Sequence, residues 1–358
     1  MIITRTPFRV SLGGGGTDLP AYYSQHGGFV FSYSLDKYMY IQLTQPIVDD
    51  LVRVKYSESE TTESVSQIKH ALARETLRRS GIDKAISVGS VADIPAGTGL
   101  ASSAAYGVGL IKAIDQMKGT SRSIADIAEE AIDIEMNTLE RPIGKQDQYM
   151  VAFGGLTVME IARDGRVRVR PAKVSADVAD ELESNLLLFF TGVSRGAEQI
   201  LQEQSNSIAK KSAPVVDSMH FIKDLGYRIL DSVEHGNVDD VGRMMHEHWE
   251  YKKRISTSMT NPNFEKIYQV GREAGALGGK IVGAGGGGFF LFYVPEKHRA
   301  FRARMADLGL RELRYRFDFE GTKVLLDIRN INRPEALWNS MNSQSSRFID
   351  STHVFTAK

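Results

Sequence analysis

Phe8, Val10 and Leu12 alternate with more polar positions and run into four glycines, which predicts a strand over 2–12 that ends in a loop. Residues 28–44 are aromatic and β-branched with partial alternation, a second strand. Ile68, Ala71, Leu72 and Leu77 lie among charges and predict an amphipathic helix over 65–80, closed by Gly81. A strand follows over 85–94, then a helix over 100–118 closed by Gly119. Ser123-Ile124-Ala125-Asp126 has capping-box form and opens a helix over about 124–138. Residues 153–161 and 166–170 predict a hairpin around Asp164-Gly165. "ADVADELESN" reads as a polar helix or connector, and "LLLFFTG" (186–192) as a buried strand.

From 195 to 277 the pattern is mostly helical, broken at Pro214, Gly236 and Asn261-Pro262. Residues 280–294 read strand, glycines, strand; 296–308 helix; 311–328 two further strands. The last residues, "NSQSSRFIDSTHVFTAK", are polar and aperiodic. Helices and strands mix without steady βαβ alternation, so the fold class is α+β in two domains with a boundary near 175–186.

A length of 358 residues agrees with two domains or one large one. Lys plus Arg equals Asp plus Glu at 44 each, so no global basic surplus points to nucleic acid or an anionic membrane, and neither partner is expected. Without cysteine, disulfides, thiolate metal sites and Cys nucleophiles are excluded. The N-terminus lacks the form of a signal peptide and no apolar run spans a bilayer, so a cytoplasmic location is expected.

Three glycine-rich stretches remain. The first, "DIPAGTGLASSAA" (93–105), places glycines between a strand and a helix whose first turn carries Ser102 and Ser103. Free amides at a helix start favour an anion, and glycines let a phosphate approach; a tight turn with a capped helix is the plain alternative. It is neither a Walker loop, having no lysine, nor a Rossmann fingerprint, having Ser102 at the sixth position. The second stretch, Gly13-Gly14-Gly15-Gly16-Thr17-Asp18, can pack on a ligand or on a second backbone, with Asp18 able to accept from a polyol. The third, Gly283-Ala284-Gly285-Gly286-Gly287-Gly288, matches G-x-G-x-x-G but leads into a strand, which argues against a dinucleotide oxidoreductase. Glu135 falls at a helix end and Asp147 in a following loop, among Lys145, Gln146 and Gln148. His246 and His248 stand two apart, on different helix faces, and read as packing or solvent residues.

"TPFRVSLGGGGTD", the segment Pro95 to Ala105 and "KIVGAGGGG" occur in that order, and together they resemble the GHMP kinases over most of residues 5–290. "RTPFRVSLGGGGTDLPAYY", "GKQDQY" and "GAGGGGFFLFY" are similar to the branch that phosphorylates the anomeric position of sugars, where heptose 7-phosphate kinases and L-fucose kinases carry related stretches. The resemblance implies a ribosomal protein S5 domain 2-like domain over 1–183, a ferredoxin-like domain over 184–330, a polar tail over 331–358 and a cleft between the domains. It implies ATP and Mg²⁺ as cofactors and a small-molecule sugar phosphate as acceptor, with a homodimer left open; a silent binding protein of the same fold is the rival that the reactive residues argue against. By motif position, Asp147 matches the catalytic aspartate, and Arg9 would keep it ionised and stabilise the transferring phosphoryl group. Pro95, Gly97, Thr98, Gly99, Leu100, Ala101, Ser102 and Ser103 would hold the nucleotide phosphates, with Ser103 and Glu135 on the metal. Gly14, Gly15, Gly16, Thr17 and Asp18 would face the sugar, with glycines where galactokinase-like enzymes have histidines, and Gly285 and Gly286 would support the cleft. A phosphate on the acceptor would need its own cations, for which Arg141, Lys145 and Arg195 are the candidates.

Overall fold

The computed structural model describes residues 1–194, 198–209, 213–254, 260–283 and 285–330. Its first half holds β1 (Ile2–Gly13), α1 (Pro20–His26), β2 (Gly28–Thr44), β3 (Val52–Lys55), β4 (Ser59–Thr62), α2 (Ala71–Arg79), β5 (Ile86–Ala92), α3 (Ser102–Lys118), α4 (Ile124–Asp133), α5 (Gln146–Phe153), β6 (Leu156–Ile161) and β7 (Val167–Pro171). The second half adds α6 (Ala176–Asn185), β8 (Leu186–Phe190), α7 (Glu198–Ala209), α8 (Ala213–Glu234), α9 (Val238–Lys252), α10 (Pro262–Glu273), β9 (Gly278–Ile281), β10 (Phe289–Tyr293), α11 (His298–Asp307), β11 (Arg311–Leu313) and β12 (Lys323–Asp327).

The main sheet has the order β12-β1-β2-β5-β3-β4, and the hairpin β6–β7 joins it on β2. The 17-residue β2 is long enough to serve two partners: its start pairs with β6 and its end with β5. The helix α3 lies against β1 and β2, and its glycines permit the close approach: a Cβ on Gly109 would come within 2.9 Å of Thr6 Oγ1. The second sheet, β11-β8-β10-β9, is antiparallel throughout, and buried Trp249, Phe264, Phe290, Phe292 and Phe301 fill the core on it. Each such aromatic, fully buried, stabilises the fold by about 1.5–3 kcal/mol.

Four expectations change. The helix over 65–80 is two pieces, a 3₁₀ turn at Val65–Gln67 and then α2. Glu60 accepts from the amides of Lys69 (2.6 Å) and His70 (3.0 Å), holding them out of a continuous helix, and His70 caps α2. Asp147 is not in a loop but in the first turn of α5, an eight-residue helix too short to show a period. The expected helix to residue 138 widens at its end into a π-turn, Ile134–Thr138, which carries Glu135. Finally, 184–330 is not one unit at the level of the sheets, because β12 returns to pair antiparallel with β1. Helix α8 likewise packs on β1 and β2, where a Cβ on Gly13 would lie 2.7 Å from Gly226 Cα. Arg195 and residues 331–358 lie outside the described residues.

Candidate active site

The two sheets face a cleft of about 760 Å³, a size that suits a small-molecule ligand. One wall, the segment expected to hold phosphate, is made by backbone. Gly97 and Gly99 have φ of 74° and 80°, and Ala101, the residue before α3, has φ of 70°. An alanine in the left-handed region costs about 1–2 kcal/mol, so the surrounding fold enforces this turn. Among the described residues no side chain caps α3. Its first amides therefore face the cleft without a side-chain cap from those residues, at the positive end of a 17-residue helix. Pro95, Gly97, Gly99, Ala101, Ser102 and Ser103 line the cleft; Thr98 and Leu100 are buried and turn away from it. Thr98 Oγ1 instead donates to the Pro95 carbonyl at 3.0 Å and ties the loop together.

The third glycine run supports this loop from behind. Gly283 and Gly99 approach so closely that a Cβ on Gly283 would lie 2.7 Å from the Gly99 carbonyl oxygen. Gly288, at φ 89°, faces the Thr98 carbonyl in the same way. Gly285 lines the cleft, whereas Gly286 does not.

Arg9 and Asp147 meet where the halves join. Arg9 is almost fully buried and donates from Nε (2.9 Å) and Nη2 (2.6 Å) to Asp147 Oδ1, and from Nη1 to the Gly99 carbonyl (2.8 Å). The carboxylate is thus fixed beside the phosphate loop with its second oxygen unbonded among the described residues, the geometry of a base awaiting a hydroxyl.

Glu135 is buried and accepts from Ser103 Oγ (2.5 Å), Arg141 Nη1 (2.8 Å) and Gln148 Nε2 (3.0 Å). Arg141 Nη1 also reaches Ser103 Oγ at 3.0 Å. A cationic group therefore already sits on the two hard oxygens expected to hold Mg²⁺, so Ser103 and Glu135 fit that ion. Among the described residues no cluster of three or more His, Cys, Asp or Glu side chains could cage a metal. An ion here would rely on one carboxylate, one hydroxyl, phosphate oxygens and water.

At the acceptor end, Gly15, Gly16 and Asp18 line the cleft, while Gly14 and Thr17 shape the loop. Thr17 Oγ1 accepts from the Phe29 amide (3.0 Å) and donates to the Gly14 carbonyl (2.7 Å). Asp18 is buried, which pushes its carboxyl up to about 6; the Gln146 amide opposes the shift and the Asp147 charge adds to it. Its oxygens take the amides of Gly16 (3.0 Å) and Gln146 (3.0 Å), so Asp18 fastens the glycine loop to the start of α5 and thereby positions Asp147. Gln146 Oε1 and Gln148 Oε1 are buried against this cleft without partners among the described residues, acceptors open to a ligand's hydroxyls.

The candidate cations separate. Arg141 belongs to the Ser103–Glu135 corner. Lys145 is absent from the lining because its ammonium is held by Glu129 (2.9 Å) and the Gly165 carbonyl (2.9 Å). Three further groups line the cleft: Lys252 and Lys280, which the pattern reading passed over, and His248, which it read with His246 as a packing or solvent residue. His246 fits its packing assignment, hydrogen-bonded to Tyr268 Oη at 2.6 Å, but His248 is buried with neither ring nitrogen partnered among the described residues. Lys280 was visible only as the first letter of the third motif.

Residues 65–155 match the model of the GHMP kinases N terminal domain, and residues 229–306 match that of the GHMP kinases C terminal domain. The chain belongs to the GHMP kinases. Its activity class is accordingly phosphotransfer, for which this family uses ATP as donor. A D-glycero-alpha-D-manno-heptose 7-phosphate kinase of Campylobacter jejuni is 29% identical over 90% of this chain and 97% of its own. A bifunctional fucokinase/GDP-fucose pyrophosphorylase of Arabidopsis thaliana is 24% identical, over 83% of this chain and 30% of that protein. A structure titled as a D-glycero-D-manno-heptose 1-phosphate kinase from Bacteroides thetaiotaomicron superposes with a TM-score of 0.74 at 25% identity, over 91% of this chain and 99% of that one. Among the described residues no helix is long and apolar enough to cross a membrane.

Proposed function

We propose that this GHMP kinase transfers the γ-phosphoryl group of ATP to the anomeric hydroxyl of D-glycero-D-manno-heptose 7-phosphate, giving the 1,7-bisphosphate and ADP. The observation that carries the reading is the Arg9–Asp147 pair, fixed beside the uncapped start of α3 in one cleft. The likeness to the heptose 7-phosphate kinase over nearly the full length of both chains supports the choice of acceptor.

The residues divide the work as follows. The amides that open α3, with Ser102, bind the triphosphate end. Ser103 and Glu135 hold Mg²⁺, which when bound screens the charge on the phosphate oxygens. Asp147 orients the acceptor hydroxyl and takes its proton as the O–P bond forms and the bond to the ADP oxygen breaks. Arg9 keeps Asp147 in place and sets a positive charge beside the transferring group. Gln146 and Gln148 accept from sugar hydroxyls, aligning the anomeric one with Asp147.

The test is ADP release with both anomers of heptose 7-phosphate, sedoheptulose 7-phosphate, mannose 6-phosphate and L-fucose. The expected result is turnover of one heptose 7-phosphate anomer at least tenfold above the rest, on the order of the discrimination a single missing polar contact gives. Turnover confined to unphosphorylated sugars would remove the heptose-phosphate assignment, and turnover of L-fucose alone would replace it with fucokinase activity.

A further inference from the structure

Lys280, Lys252 and His248 form a basic wall that the reaction described above does not use. Lys280 on β9 and His248 on α9 are 2% and 1% exposed, and Lys252 lies one turn beyond His248 on the same helix. All three line the cleft. Their partners among the described residues include no carboxylate: Lys280 Nζ donates to the Leu12 carbonyl (2.9 Å), Lys252 Nζ to the Gly283 carbonyl (2.5 Å), and His248 has none. Burial pushes Lys280 well below the ordinary lysine range, and the charges of Lys252 and Arg9 push the same way. Burial, then Arg9, pushes Lys252 down to about 8. Burial and the two lysines push His248 well below the ordinary histidine range as well, so charging these groups together is costly without a counter-charge, and an anion entering the cleft would offset that cost.

Position separates two candidate anions. The phosphate loop meets β1 at Arg9, whose amide donates to the Leu100 carbonyl (3.2 Å). Leu12 is three residues further along β1, about 10 Å away at the rise of a strand, and directly precedes the Gly13–Gly16 loop. Lys280 Nζ is therefore anchored beside the glycine loop that would face the acceptor, while Lys252 extends the wall toward Gly283, which packs on Gly99. An acceptor whose reacting hydroxyl lies at Asp147 would reach this wall with the far end of a six- or seven-carbon chain.

We infer that Lys280, with His248 and Lys252, holds the non-reacting phosphate of a phosphorylated acceptor. The inference rests on the proposed function for the identity of the sugar, but the anion site can be tested apart from it. The first measurement is calorimetric titration of the wild-type protein, and of Lys280→Met and His248→Asn, with inorganic phosphate and with mannose 6-phosphate. The second is kcat/KM for a sugar phosphate and for the same sugar without phosphate. The expected result is a loss of about 10- to 100-fold in phosphate-ester affinity, the size of a charge-assisted hydrogen bond, with the preference for the phosphorylated sugar falling by the same factor. The ATP KM should move less than threefold. If kcat fell equally on both sugars at unchanged KM, the wall would act on the transferring group and the inference would be overturned. Unchanged phosphate affinity in both variants would overturn it too. Because the Lys280 ammonium also bridges to Leu12, a Lys280→Met protein that fails to fold leaves His248→Asn to decide. Should the wild-type protein bind phosphate here yet turn over no heptose phosphate, the assigned sugar fails and the site stands.

Discussion

The two ends of the cleft are built by opposite means. The proposed nucleotide end is built from backbone: glycines, a strained alanine and the open start of α3. The proposed acceptor end is built from side chains on scattered elements, with Lys280 from β9 bonded to Leu12 of β1, and His248 and Lys252 from α9, which packs on β9, lining the same cleft. Backbone amides carry no net charge, so they can wait for a phosphate at little cost. Buried ammonium groups cannot, which is why two of these have depressed affinities for their protons. The pivot between the ends is Arg9–Asp147, and breaking it should have the largest effect. Asp147→Asn should lower kcat by about 100- to 10,000-fold at little change in KM, since it removes the proton acceptor and keeps the shape. Steady-state kinetics beside a thermal melt would check this; a variant that kept full turnover would end the assigned chemistry.

The next effect falls on the nucleotide end. Gly288 sits at φ 89° with its missing Cβ directed at the Thr98 carbonyl. Gly288→Ala should cost about 2–4 kcal/mol of stability from strain and overpacking, and should raise the ATP KM by displacing the loop. Urea melts and ATP titration would read both. A stable variant with unchanged ATP affinity would show that the third glycine run does not brace the phosphate loop.

This contrast also explains what the sequence could show. A backbone-built loop leaves its mark as a contiguous string, so 95–103 was legible as one unit, but a string does not say that Thr98 and Leu100 are buried while their neighbours line the cleft. Most strands of both sheets were legible from their apolar runs, but β3 and β4 went unread, since at four residues each they are too short to show a period and β4 carries no apolar residue. The return of β12 to β1 was not, since a five-residue strand carries no label for its partner. Lys145 and Lys280 look alike in sequence. What separates them is Glu129, which neutralises Lys145, while no carboxylate reaches Lys280 among the described residues. That is a fact of tertiary structure, visible only once α4 and β9 are placed.

A smaller effect should follow from pH at the acceptor end. With its affinity for a proton lowered to about 8 in the folded chain, Lys252 is charged below that pH and neutral above it. Phosphate-ester KM should therefore rise above pH 8, by at most about tenfold per unit for one proton. The stability term has the opposite sign. Between about 8 and the unfolded value near 10.5 the unfolded chain binds more protons, so the Lys252 contribution rises with pH in that window. Lys252→Met should flatten both trends in paired KM and melting series from pH 7 to 10; trends that persist would belong to another group.

The smallest effect tests whether the nucleotide end is held by its frame. Ala101 adopts φ 70° without a capping hydrogen bond, so its Cβ pays the steric cost of the left-handed region. Ala101→Gly removes that cost of about 1–2 kcal/mol, and the greater freedom of glycine in the unfolded chain returns roughly 0.5–1 kcal/mol. The net gain is about 0–1.5 kcal/mol, a rise of a few degrees at most in Tm for a protein of this size. If the loop is set by the packing of Gly99 on Gly283 and of Gly288 on Thr98, ATP affinity should hold within about twofold, because the amides of α3 stay where they are. If affinity fell by tenfold or more, the alanine itself would be what fixes the turn, and the two ends of the cleft would differ less than their construction implies.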